Sequence, residues 1–129
     1  MNLTLWIAQC LLAALFLATG SAKVFSSADQ LANLLPTLPV MLVRFIGVSE
    51  LLGAIGVILP AATRIQPRLT MWAAIGLGTI MILATLFHLS RAEYSNALGT
   101  VAILAGAAFV AYGRGIRRPV ASRAARMTA

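Results

Sequence analysis

Chemistry in this chain has few places to sit. Within its long hydrophobic stretches the ionisable side chains are Lys23, Arg44, Glu50 and His88. A charge at the centre of a bilayer costs about 3 kcal/mol on insertion scales, so such residues mark function by default. Glu50 is the most informative. It lies about ten residues into its stretch, roughly 15 Å at the helical rise, which places it near mid-membrane. Gly47 and Gly53 flank it, and Ala54 and Val57 follow. A carboxyl on a stripe of small residues faces neighbouring helices rather than lipid. There it must be protonated or paired with a base. His88 and Lys23 are the expected partners, since both close their own stretches at the same end. Arg44 sits six positions before Glu50 and therefore about 120° away around a helix; it is expected to snorkel to headgroups or close the mouth of the bundle. A carboxyl beside an imidazole and an amine suits acid-base chemistry, in a proton-handling or ligand-binding pocket open to the outer leaflet. The same cluster also suits a buried clasp that fixes helix register. Gln9, Ser21, Ser49 and Thr85 add neutral hydrogen-bonding capacity.

Other motifs are weaker. Cys10 is the single cysteine, with no partner for a disulfide or a CxxC redox pair, and is expected to be a small buried apolar residue. A lone histidine without Cys, Asp or a second His nearby makes no recognisable metal site. Gly99, Gly106 and Gly113 recur every seven residues and predict a close helix-helix seam, within the chain or between copies. Tyr94 and Tyr112, at opposite ends of one stretch, suit interfacial anchoring.

The elements that must position these residues are transmembrane helices. The sequence is 60% hydrophobic and only 10% charged, against about 25% charged in soluble domains. A 129-residue globule in water could not bury that much apolar surface. Four runs have the roughly twenty residues a span needs, over residues 3–22, 40–59, 69–88 and 94–112. Ala, Leu, Ile and Met dominate without strand-like alternation, so the expected fold is an all-α integral membrane bundle of four helices. The first run lacks a basic segment before Lys23 and is too long for a signal peptide, so it reads as a retained helix. Pro60 is expected to stop the second helix, leaving residues 60–68 as a basic loop. In the first loop, Ser27 or Asp29 is placed to cap a short helix through Leu35, ended by Pro36. Its Leu31, Leu34 and Leu35 recur at helical spacing, which predicts a segment lying on the membrane or lidding the bundle. Residues 1–113 are read as the transmembrane domain and 114–129 as a basic cytoplasmic tail.

Four crossings put both termini and the second loop on one side. That side holds Arg64, Arg68, Arg114, Arg117, Arg118, Arg123 and Arg126; the other holds Lys23, Arg44 and Arg91. The positive-inside rule predicts cytoplasmic termini and an extracytoplasmic first loop. The net charge of +7 is thus the mark of a membrane flank, and nucleic acid is not an expected partner.

Three segments together resemble the DoxX-like family of small membrane proteins. They are Gly20-Ser-Ala-Lys23 closing the first helix, Gly47-Val-Ser-Glu50-Leu-Leu-Gly53 through Pro60 in the second, and Met81 through His88 in the third. The resemblance implies a four-helix bundle in the bacterial inner membrane. It also implies a redox context, since a namesake member is a subunit of a thiosulfate:quinone oxidoreductase. The chain itself has no redox-active cysteine pair, haem-ligand pair or flavin motif, so electrons would be left to a bound quinone or a partner protein. The expected function is an accessory subunit binding a quinone or lipid-like molecule beside Glu50, His88 and Lys23, associated with a redox partner or with further copies of itself. The alternatives are an isomerase or hydrolase using the same residues on a hydrophobic substrate, a structural membrane anchor, and a small-solute transporter.

Overall fold

The computed structural model describes residues 2–129. The helices are α1 (Asn2–Phe25), α2 (Ala28–Leu34), α3 (Val40–Thr63), α4 (Arg68–Ser90), α5 (Tyr94–Tyr112), continued by a π-helical turn (Gly113–Arg117), and α6 (Arg123–Met127). Four are long and apolar enough to cross a membrane: α1, α3, α4 and α5 with its π turn. The spans form a ring in which α1 packs on α3, α3 on α4 and α4 on α5, and a slighter contact between α5 and α1 completes it.

Small and polar side chains mark the inward face of α3. The buried positions of α3 are Val43, Gly47, Glu50, Ala54, Val57 and Ala61, alternating four and three residues apart. That spacing keeps one seam turned toward the neighbouring helices. Large aliphatic residues such as Leu52, Leu59 and Leu83 face outward, as lipid permits. Helices α1 and α3 meet glycine to glycine. A Cβ on Gly20 would lie 2.9 Å from the Gly47 carbonyl oxygen, and a Cβ on Gly47 would lie 2.7 Å from Cβ of Lys23. Small residues here bring Lys23 and Glu50 within reach of each other.

Several boundaries differ from the sequence-based expectation. Helix α3 passes through Pro60 and ends three residues later, where Arg64 takes a left-handed conformation (φ 59°). Proline removes one backbone donor, and inside a bundle neighbouring helices can accommodate the perturbed turn. Here Gln9 of α1 donates its side-chain amide to the carbonyl of Val57, within that turn. The loop to α4 shrinks accordingly to residues 64–67. Cys10 is exposed on the outer face of α1 rather than buried. Within the chain the seven-residue glycine repeat makes no continuous seam. Gly113 packs against Leu5 and Gly106 makes an ordinary contact with Leu12, whereas nothing approaches Gly99.

The loop helix forms as its residues dictate. Ser27 caps α2 by accepting from the backbone N–H of Gln30 at 3.2 Å, and the Gln30 side chain accepts from the Ser27 N–H at 3.0 Å. This reciprocal pair is a capping box. Leu31 is buried and Leu34 exposed. Beyond the helix, Leu35 and Leu38 turn down to roof a cavity in the bundle.

Candidate functional site

Glu50 is 2% exposed. Lys23 approaches it from the last turn of α1, with Nζ 2.8 Å from both carboxylate oxygens. Thr19, one helical turn before Lys23, donates its hydroxyl to Oε2 at 3.2 Å. The carboxylate is therefore held by one ammonium and one hydroxyl, all across the α1–α3 glycine contact. The Lys23 side chain is 21% exposed against 3% for Glu50, so the lysine forms the outer edge of the pair.

His88 does not join this pair. Its Nδ1–H donates to Glu93 Oε2 at 2.6 Å, in the turn between α4 and α5. Ala92 adopts a left-handed conformation (φ 57°), and the turn folds Glu93 back over the end of α4. Arg91 Nε donates to the other oxygen of Glu93 at 2.8 Å, and Arg91 Nη1 donates to Thr37 Oγ1 of the first loop at 3.1 Å. The His88 and Arg91 hydrogen bonds hold the Glu93 carboxyl below the usual carboxylate range. With Nδ1 committed to a carboxylate, Nε2 is the ring nitrogen left to act within the bundle. Arg44 contributes a different link. Its guanidinium donates to the carbonyls of Val24 and, at 3.1 Å, Ser26, tying the end of α1 to α3. This satisfies carbonyls that a helix end leaves unpaired.

Lys23, Glu50 and His88 nonetheless share one space. A cavity of about 340 Å³ lies in the loop half of the bundle and is lined by all four spans and by Leu35 and Leu38. Its walls are aliphatic and aromatic, among them Phe16, Ile46, Met81 and Phe87. Polar groups are few: Thr19, Lys23, Glu50, His88 and Thr100. Leu42 and Leu83 line it and also face outward at 43% and 62% exposure, so the cavity reaches the lipid-facing surface.

Two polar arrangements had weak sequence signals. Thr85 and Thr100 hydroxyls meet at 2.7 Å between α4 and α5. At the opposite end of the bundle, Gln9 accepts from Nε of Arg114 at 2.6 Å, with Arg114 only 5% exposed. Gln9 was visible as a polar residue within the first span. Arg114 follows Gly113 and reads with the basic tail, but the π-helical turn carries it back into the bundle.

Fold and site together define a four-span membrane protein with an ion-paired carboxylate in an apolar, lipid-accessible cavity. A family model described as the DoxX-like family matches residues 7–110. The chain belongs to this family. No curated protein and no solved structure matches it.

Proposed function

We propose that the protein binds an amphipathic small molecule of the quinone or lipid class, with its polar head toward Lys23, Glu50 and His88 and its apolar tail leaving between Leu42 and Leu83. The observation that carries this reading is the cavity, apolar on its walls and polar in a few convergent groups. Ligand sites commonly have this composition, and volumes of about 300–1,000 Å³. At the small end of that range, the cavity suits a ring or headgroup with its tail outside. Lys23 supplies donors, Glu50 acceptors, and His88 Nε2 can serve a carbonyl or a hydroxyl according to its protonation.

In the cell we assign this role to an accessory subunit in the bacterial inner membrane, serving a redox partner. The family resemblance supports that setting. The seven arginines at the terminal end of the bundle support cytoplasmic termini by the positive-inside rule, and in that orientation the cavity half faces outward.

The test is extraction of the purified protein followed by mass spectrometry, comparing wild type with Glu50→Gln, His88→Ala and Ala84→Trp. Ala84 lines the cavity wall, so a tryptophan there fills the space while Lys23 and Glu50 keep their own side chains. A quinone or lipid-like molecule retained stoichiometrically by wild type and lost from folded Ala84→Trp is the expected result. Equal occupancy in all four proteins, or none in wild type, overturns the assignment.

A further inference from the structure

The end of the bundle opposite this cavity has a second, differently built recess. It encloses about 330 Å³ and is lined by Asn2, Trp6, Arg64, Arg114, Arg118 and Arg126 among others. Arg114 is its foundation. Nε donates to Gln9 and Nη1 donates to Asn2 Oδ1 at 2.8 Å, while the guanidinium lies over the Trp6 ring at 5.0 Å. Every one of these partners is uncharged. Nη2 is buried and has no hydrogen-bond partner among the described residues. A buried guanidinium fixed in place by neutral groups, with donor capacity to spare, is incomplete without an anion.

The chain cannot supply that anion from its own acidic side chains. It has three: Asp29 in α2, Glu50 paired with Lys23, and Glu93 in the α4–α5 turn. All belong to the loop end. The backbone meanwhile concentrates positive charge around the recess. The π-helical turn returns Arg114 to α1, and the Arg123 N–H donates to the Arg64 carbonyl at 3.0 Å, folding the tail across the α3–α4 loop. Arg118 and Arg126 are thereby brought to the same walls as Arg64 and Arg114.

We infer that this recess is a binding site for a phosphate group. Guanidinium forks match the several acceptor oxygens of phosphate, and a single phosphate supplies the counter-charge that Arg114 lacks while offering acceptors to the neighbouring arginines. Two sources share this chemistry: the phosphodiester of an anionic phospholipid, and free inorganic phosphate. The recess lies at the ends of the spans, at the depth where headgroups sit.

The experiment titrates the detergent-purified full-length protein with phosphatidylglycerol, diacylglycerol or inorganic phosphate, following retained ligand by native mass spectrometry and the thermal unfolding midpoint. Two double variants remove equal charge: Arg118→Gln with Arg126→Gln inside the recess, and Arg68→Gln with Arg117→Gln outside it. The recess variant is expected to bind about tenfold more weakly, as loss of charge-assisted hydrogen bonds implies, and the outside variant to match wild type. Phosphatidylglycerol binding without a phosphate response assigns the lipid headgroup as source; saturable binding of inorganic phosphate, with loss in the same variant, assigns the free anion. Equal losses in both double variants, equal binding of phosphate-free diacylglycerol, or no binding at all overturns the site.

Discussion

At the scale of residues, the Lys23–Glu50 pair is unequal, and the inequality has a measurable consequence. Glu50 is enclosed, whereas Lys23 keeps part of its side chain at the surface and can extend its ammonium toward headgroups. Removing the base leaves a carboxylate in low dielectric; removing the acid leaves a lysine with somewhere to go. Breaking a buried pair by deleting one partner costs about 3–5 kcal/mol. Lys23→Met is expected near that figure, and Glu50→Gln about 1–2 kcal/mol less destabilising. Thermal or denaturant unfolding in detergent measures both, and the reverse order would refute the account. The pair itself was legible in the sequence because both residues interrupt apolar runs at compatible depths. The His88–Glu93 contact was not. It depends on a left-handed residue at Ala92, and Glu93 lies outside the runs where buried charge draws attention. Arg114 was hidden for a similar reason, since sequence alone places it with the solvated tail and only the π-helical turn returns it to Gln9.

At the scale of elements, helix contacts here are set by where a Cβ has no room. Gly20 and Gly47 sit against each other's backbone across α1 and α3, while Gly99 on α5 faces open space. Gly47→Ala must push α1 and α3 apart beside Lys23, at a cost of about 1–3 kcal/mol for overpacking. Gly99→Ala meets nothing and should gain about 0.5–1 kcal/mol from helix propensity. Unfolding midpoints of the two variants should therefore move in opposite directions, and a shared direction would contradict the packing. The four spans and the Ser27-capped loop helix follow from hydrophobic length and capping chemistry, which are local. Helix ends are less local. Pro60 reads as a terminator until α1 is packed against its turn, and the glycine repeat of α5 reads as a seam until its neighbours are known to fall on only part of it.

At the scale of the whole molecule, four crossings leave the Glu50 cavity in one half of the bundle and the arginine recess in the other. Single cysteines in a Cys10→Ser background test the arrangement, using a membrane-impermeant maleimide on intact cells and on broken ones. Asp29→Cys is expected to label in intact cells and Ser122→Cys only after lysis; labelling of both from the same face would refute the four-span path. The charge ledger of the two halves carries a further consequence. Lys23, Arg44 and Arg91 are balanced by Asp29, Glu50 and Glu93, so the loop half is electrically neutral. The entire net charge of +7 belongs to the seven arginines of the other half. An elementary charge moved across 100 mV changes energy by about 2.3 kcal/mol. For seven charges, the two orientations of the molecule differ by about 16 kcal/mol at that voltage. In the orientation proposed above, only the neutral half has to be carried across during insertion, and a membrane energised negative inside then acts as a latch on the arginine half.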